Sequence, residues 1–411
     1  MYKREMKKII KDYVNFPAIA ILGPRQSGKT TFSQAAFPKH VYVSFENPHT
    51  REFAAKEPTR FLRTHENAHG IIIDEFQHVP QILSYIQLEI DEKKRKGYFI
   101  LTGSQNYLMN QAITQSLAGR IGILTLLPFS LNELSQNNLL SDTIESVIFN
   151  GCYPRLYNEH FKPETLYPPY IHTYVERDVR QLINIGDLST FQKFIQLCAA
   201  RIGNLLNFSD LAAACGVSVS TARRWISVLQ ASYIIFLLEP YFKNFNKRVT
   251  KMPKIYFYDT GLACNLLRIT SPEDLLINPY WGNLFECFII SDLAKQYFHH
   301  GSRPSIYFWR DKNGRLEVDC LVDSGVMLFP IEIKSGESVA SDFFNGLKQW
   351  NELIYKTPSE ENFSNSFLVY AGAQAQLRSA GTVVPWKDAA TLIKQIEGIK
   401  KKRIKKLLQN K

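Results

Sequence analysis

Long apolar runs are missing from this sequence. No stretch approaches the ~20 residues needed to cross a bilayer. The charged start, Met1-Tyr-Lys-Arg-Glu-Met-Lys-Lys8, is not followed by the apolar segment of a secretory signal. Ala18 to Leu22 is apolar but too short for either. These absences lead us to expect a cytoplasmic protein with no membrane partner. Cysteine is sparse and scattered. The six cysteines (152, 198, 215, 264, 287 and 320) form no C-x-x-C pair. Their scatter argues for reduced thiols acting as small core residues and against a disulfide framework or a zinc site. No strip of interleaved aromatic and basic residues, of the kind that stacks single-stranded bases, stands out.

What is present is core material. Of 411 residues, 45% are hydrophobic and 13% aromatic, enough for two or three folded domains. Net charge is +11, and a basic excess favours polyanions through counterion release. Part of the excess is concentrated at Lys400 to Lys406, basic at six of seven positions. For a terminal run the plain reading is a solvated tail.

One stretch organises the rest. Gly23-Pro24-Arg25-Gln26-Ser27-Gly28-Lys29-Thr30 fits G-x-x-x-x-G-K-[ST], and Thr31 follows. The glycines let the backbone turn its N–H groups onto phosphate oxygens. Lys29 supplies a point charge to the β- and γ-phosphates, and Thr30 a hydroxyl to Mg²⁺. An apolar run, Ala18 to Leu22, precedes the loop as a buried strand. A helix from Thr30 to Phe37 follows, and its N-terminal dipole favours an anion. ATP and Mg²⁺ are therefore the expected ligand and cofactor.

Gly70-Ile-Ile-Ile-Asp-Glu75 is a second apolar run, ending abruptly in two carboxylates. Asp74 is placed to hold Mg²⁺ opposite Thr30, and Glu75 to polarise the attacking water. Further strands are expected at Val41 to Phe45, Tyr98 to Thr102 and Ile121 to Leu127, and helices at Lys3 to Tyr13, Pro80 to Lys96 and Tyr107 to Leu117. Such alternation implies a parallel α/β sheet with nucleotide at the carboxyl ends of its strands. Ser104 or Thr102, at a strand tip, is placed to position water or sense the γ-phosphate; capping of the next helix is the alternative. Arg120, Arg155, Arg177 and Arg180 are the arginines available to the γ-phosphate. A finger of this kind acts in cis or from a neighbouring subunit, which leaves a homo-oligomer open. Residues 1–150 thus form an expected ATPase domain.

Residues 151–275 read as helical linker and helix-turn-helix. Tyr167 to Ile183 is helical. Ser209 caps a short helix, Asp210 to Ala214; Gly216 makes the turn; Ser218 or Ser220 caps a second helix through Leu229. Tyr233 to Leu238 would be a wing strand. Arg223 and Arg224 on the second helix are placed to meet DNA, unless the unit only relays motion between its neighbours. Asp259, in a strand and turn at Lys254 to Leu262, is either structural or a late addition to a site.

Residues 276–411 hold a second constellation. Glu286 lies on an apolar helix, Gly282 to Ala294, where a carboxylate needs a partner. Strands are expected at Ser305 to Arg310, Leu316 to Val322 and Met327 to Lys334, a helix at Asp342 to Tyr355, a strand at Asn365 to Tyr370 and a basic helix at Lys387 to Gln409. Glu332 and Lys334 share one strand face. Asp319 and Glu332 are suited to a hard divalent cation, with Glu286 completing the set. Such a metal would activate water, and Lys334 would stabilise an anionic transition state. An ordinary Glu/Lys strand pair is the competing reading.

Taken in order, these stretches resemble bacterial and archaeal ATPases of the AAA superfamily with a C-terminal domain of unknown function. The resemblance rests on Gly23 to Thr30, Ile71 to Glu75, Leu101 to Ser104 with Leu117-Ala-Gly-Arg120, Gly151-Cys-Tyr-Pro-Arg155 and Tyr174-Val-Glu-Arg-Asp178. It continues through Tyr256 to Leu262, Trp309-Arg-Asp311, Glu317-Val-Asp319 and Ile331-Glu-Ile-Lys334. Cys152 stands where that family often has glycine. The resemblance implies a P-loop AAA-type domain, a winged helix and a restriction-endonuclease-like α/β domain of PD-(D/E)xK type, with ATP and Mg²⁺ binding.

Two functions remain in play. One is an ATPase coupled to double-stranded DNA, gripping or cutting it. The other is an ATP-driven switch or scaffold whose C-terminal domain is catalytically silent and binds protein. A metabolic kinase fits poorly, since Asp74-Glu75 favours water as nucleophile and no acceptor-binding segment is apparent.

Overall fold

Apolar runs of four or five residues build the first sheet. The computed structural model describes residues 2–104, 113, 116–175, 188–242, 252–311, 313–355 and 360–409. Strands β1 (Ala18–Leu22), β2 (Val41–Ser44), β3 (Ile71–Asp74), β4 (Phe99–Gly103) and β5 (Ile121–Thr125) lie parallel in the order β2-β3-β4-β1-β5. β1, β3 and β4 are buried throughout, as strands covered on both faces must be. The register pairs Leu22 with Gly103 and Asp74 with Thr102. The phosphate loop, the Asp-Glu pair and Ser104 therefore leave the same edge of the sheet. Because β4 lies between β1 and β3, the tip of β4 stands between loop and carboxylates.

Two helices of this unit differ from expectation. Helix α1 (Lys29–Ala36) follows the loop as anticipated, and α2 (Ile82–Lys93) is shorter than the sequence implies, ending where Lys94 turns left-handed at φ +50°. The lead-in is not one helix but a 3₁₀ turn, Glu5–Lys8, and a short helix, Ile10–Tyr13. At its start the Glu5 amide donates to Glu133 Oε1 at 2.8 Å. The expected Tyr107 to Leu117 helix, Arg177 and Arg180 fall wholly or largely outside the described residues.

The middle region is helical. After α3 (Leu131–Gln136), capped by a reciprocal Ser130–Glu133 box, comes α4 (Ile144–Asn150). Then α5 (Leu188–Ala199), α6 (Phe208–Cys215) and α7 (Val219–Ala231) pack together, with Gly216 turning at φ +71°. The α6 cap is Asn207, not Ser209: its side chain accepts from the amides of Ser209 and Asp210. Ser218 caps α7. Trp225 of α7 sits edge-on between Phe191 and Phe194 of α5. Strand β6 (Ile235–Leu238) pairs antiparallel with β7 (Lys254–Phe257), and α8 (Thr260–Leu266) follows. Asp259 proves structural, capping α8 at Leu262 and holding the Cys152 amide and Tyr167 hydroxyl at 2.7 Å.

The C-terminal region runs helix, three strands, helix, strand: α9 (Trp281–His299), β8 (Ile306–Arg310), β9 (Glu317–Asp323), β10 (Leu328–Lys334), α10 (Asn345–Tyr355) and β11 (Phe367–Tyr370). With β12 (Gln376–Arg378) and β13 (Gly381–Pro385) the sheet order is β12-β13-β11-β10-β9-β8. The last helix, α11 (Leu392–Gln409), buries Leu392, Ile393 and Ile396 and carries the basic run outward. Two apolar clusters flank the first sheet, while a third runs continuously from Leu127 to Ile396. All six cysteines are free and buried.

Candidate nucleotide site and the C-terminal carboxylates

The phosphate loop is shaped by positive φ angles. Gly23 lies at φ +155°, where a Cβ would clash with the Leu126 carbonyl oxygen, and Gly28 turns into α1 at φ +89°. Lys29 is buried and its ammonium donates to the Pro24 carbonyl at 2.8 Å, across the loop mouth. Thr30 Oγ1 donates to Asp74, 3.1 Å from both carboxylate oxygens. Residues 44 apart in the chain thus meet. Asp74 also accepts from Tyr42 of β2 (2.8 Å) and Thr102 of β4. Thr102 is therefore an anchor for Asp74 and not a free sensor.

Glu75 adopts the left-handed region at φ +54°, uncommon for a residue with a side chain. Its carboxylate accepts from the Gln77 amide, which also reaches Ser104 Oγ at 3.0 Å. Gln77 thereby gathers two of the expected site residues. Pro24, Arg25, Gln26, Ser27 and Thr31 all lie in the loop or on α1. Of these, Gln26 and Thr31 line a cavity of about 320 Å³, together with Tyr2, Lys29, Thr30, Glu75 and Arg155 among others. The hydroxyl and carboxylate oxygens of Thr30 and Asp74 are hard donors that suit Mg²⁺.

Four residues of this region escape a reading of the sequence. Arg4 is buried, donating to the carbonyls of Ser27 (2.9 Å) and Leu127 and pairing with Glu133 at 3.0 Å. It holds the loop through the Ser27 carbonyl and also lines the cavity. Tyr2, Tyr42 and Gln77 are the others. Their partners lie far off or carry no local pattern, so no short-range signal announces them. Arg120 is not brought to the site within one chain. Its carbonyl accepts from Ala18 at the amino edge of the sheet, and its guanidinium pairs with Asp91 at 2.7 Å. Arg155 does line the cavity, beside its partner Glu159.

The C-terminal carboxylates are gathered differently. Asp319 Oδ2 accepts the Ile333 amide (2.8 Å), and Lys334 pairs with Glu332 at 2.6 Å and more loosely with Asp319 at 3.9 Å. Glu286 finds the partner it needs in Lys254, at 3.1 Å, and in the Tyr256 hydroxyl. Lys254 also pairs with Glu317. Burial first, then the like charge of Asp319, pushes Glu286 up to about 7 and Glu332 up to about 8. Burial lowers the Lys254 ammonium, but Glu286, Glu317 and Asp319 outweigh it and hold the group above an ordinary lysine. Lys254 was not anticipated here, because it comes from the preceding region.

Among the described residues, one trio brings metal-ligating atoms within 4.8 Å of one another: Glu5, Glu133 and His299. Glu286, Asp319 and Glu332 are not so close. The trio's carboxylates are already engaged, Glu133 by Arg4 and the Glu5 amide, Glu5 by Ser130 and Asn132. It is a buried polar network joining the N-terminal segment to α3 and α9.

The parallel sheet, the loop and the carboxylates at its edge form a P-loop-type α/β fold. Residues 15–135 match the family described as an AAA domain, residues 141–273 a domain of unknown function (DUF8612) and residues 281–389 another (DUF4143). Two uncharacterized proteins, Mb2031c of Mycobacterium bovis and Rv2008c of Mycobacterium tuberculosis, are each 28% identical over 376 residues, 89% of this chain and 82% of theirs. Among solved structures, a Walker-type ATPase of Pyrococcus abyssi shares 16% identity at a TM-score of 0.45, covering 66% of this chain and 96% of its own. RuvB of Thermotoga maritima, a Holliday junction branch migration motor, shares 16% at a TM-score of 0.30, covering 57% and 89%. At these scores the likeness is loose and extends to no function.

Proposed function

We propose that this protein binds ATP with Mg²⁺ at the phosphate loop, hydrolyses it, and couples turnover to double-stranded DNA. The observation that carries the hydrolytic part is the meeting of Thr30 with Asp74, with Glu75 and Ser104 tied together beside them through Gln77. Thr30 and Asp74 would hold Mg²⁺, which would supply charge neutralisation at the phosphates. Lys29 exchanges its Pro24 carbonyl for phosphate oxygens. Glu75 orients the attacking water, and Gln77 fixes that carboxylate. Arg120, at the far edge of the sheet, is available only to a neighbouring copy, so finger action through it requires a homo-oligomer.

We read residues 1–150 as the ATPase domain, 151–275 as linker and winged helix, and 276–411 as a nuclease-like fold. The DNA part is supported by the exposed Arg224 on α7 and by Arg223, also exposed and stacked 4.3 Å over Phe208. The basic outer half of α11 and the net charge of +11 add to it. Free thiols throughout suit a cytoplasmic setting. The test is steady-state hydrolysis with Mg²⁺ or EDTA, with and without double-stranded DNA, on wild type and Lys29→Ala. Stimulation by DNA supports coupling; normal turnover by Lys29→Ala overturns the site assignment.

A second reading keeps the ATPase and makes the C-terminal region a catalytically silent interaction module. The place of Lys254 among its carboxylates favours that reading, and an ATPase rate indifferent to DNA would select it.

A further inference from the structure

The C-terminal carboxylates invite a divalent cation, but the residues present do not fit one. A hard cation asks for about six oxygen ligands at roughly 2.0–2.6 Å, converging on one point. Here the carboxylates are spread around two ammonium groups. Lys334 takes Glu332 Oε1 at 2.6 Å, and the Ile333 amide takes Asp319 Oδ2 at 2.8 Å. Lys254 stands between Glu286 at 3.1 Å and Glu317.

The lysine is not a surface side chain that has folded over. It is 5% exposed, and its backbone is fixed on both sides. Lys254 pairs with Leu238 in the β6–β7 ribbon and forms a bridge with Leu205, while the Pro253 carbonyl accepts the Leu206 amide at 2.7 Å. The aliphatic stem leads the ammonium to 5.6 Å from the Phe308 ring centroid on β8. Two residues on, Tyr256 projects from the same face of β7 and donates to the same Glu286. The ribbon thus presents a cation and a hydroxyl to a carboxylate of the next region.

We infer that Lys254 is a resident cation of this set: its ammonium engages Glu286, the carboxylate that would complete a divalent-metal site, and makes Glu286 and Glu317 a socket that fastens β7 to the C-terminal sheet. This deepens the second reading of the function, on which it rests. A metal centre would form only where Lys254 is withdrawn. Glu332 Oε2, buried without a hydrogen bond, is then an oxygen open to the incoming ion.

The test is Mn²⁺ titration calorimetry on the full chain without nucleotide. The variants are wild type, Asp319→Asn, Lys254→Met and Lys254→Met/Asp319→Asn, each checked for folding by circular dichroism and thermal melting. Wild type and Asp319→Asn are expected to give the same isotherm. Lys254→Met gains a Mn²⁺ site that the double variant loses. A wild-type site abolished by Asp319→Asn overturns the inference, as does a folded Lys254→Met that gains nothing. If Lys254→Met does not fold, the comparison of wild type with Asp319→Asn decides alone. Plasmid cleavage assayed on the same proteins separates the two levels. Cleavage lost in Asp319→Asn overturns the silent reading together with the inference, whereas an Asp319-dependent Mn²⁺ site without cleavage overturns only the inference.

Discussion

Glu75 and Gln77 differ in what they touch, and kinetics can separate them. Glu75 faces the cavity and is placed to meet water. Glu75→Gln keeps ATP binding and loses turnover, by about 10²–10⁴-fold if the residue acts in proton transfer. Gln77 acts through Glu75 and Ser104. Gln77→Ala is expected to lower kcat by about 10–100-fold, the size typical of outer partners at metal sites, with KM little changed. A Gln77→Ala enzyme with wild-type kcat would remove that positioning role. The loop and the Asp74-Glu75 pair were legible because their evidence is local: a fixed spacing, an apolar strand before each, a helix after the loop. Tyr42, Gln77 and Arg4 were not, because what defines them is a partner elsewhere in space. Arg4 and Glu133 are separated by 129 positions, and nothing near either one points to the other. Glu286 was half legible. Its apolar helix showed that it needed a partner, but not that the partner would be Lys254.

At the scale of elements, helices and strands were read well wherever one periodicity or one apolar run decided them. They were misread where a side chain from afar decided. The lead-in falls into two pieces, and Arg4 and Glu5 at its start are both bonded to Glu133 of α3. Arg4→Met should therefore cost about 3–5 kcal/mol by urea denaturation, as expected when a buried pair loses one member. The remaining donors to Glu133, from Glu5 and Ser130, place the loss toward the lower figure. A variant as stable as wild type would show that the clamp is not structural. The cap of α6 moved from Ser209 to Asn207 because asparagine, two residues ahead, already satisfies both free amides. For α7, Arg224→Ala should weaken binding to double-stranded DNA and flatten the dependence of log K on log salt by about one unit. An unchanged slope would take this helix out of the interface.

At the scale of the molecule, one buried histidine links acid stability to the packing of three regions. His299 on α9 is fully buried, 3.4 Å from Glu133, with Glu5, Arg4, Lys295 and His300 as its other charged neighbours. Burial above all, then Arg4, holds its pKa well below the ordinary 6.5 against the pull of Glu5. The fold therefore favours the neutral ring. That stabilisation is complete above about pH 6.5 and is lost as pH falls below it, by at most ~1.4 kcal/mol per unit. Melting from pH 7 to 5 should show the loss, and His299→Gln should flatten the profile. An equal slope in both proteins would assign acid sensitivity elsewhere. The same connectedness has a mechanical side. Leu126 packs against one face of the first sheet, and Leu127 already belongs to the core that ends at Ile396. The Leu126 amide bonds the Leu22 carbonyl at 2.7 Å, and its own carbonyl oxygen abuts Gly23. A displacement of the large core thus reaches the first residue of the phosphate loop over a lever arm of one peptide unit, and a movement of the loop is geared outward along the same arm.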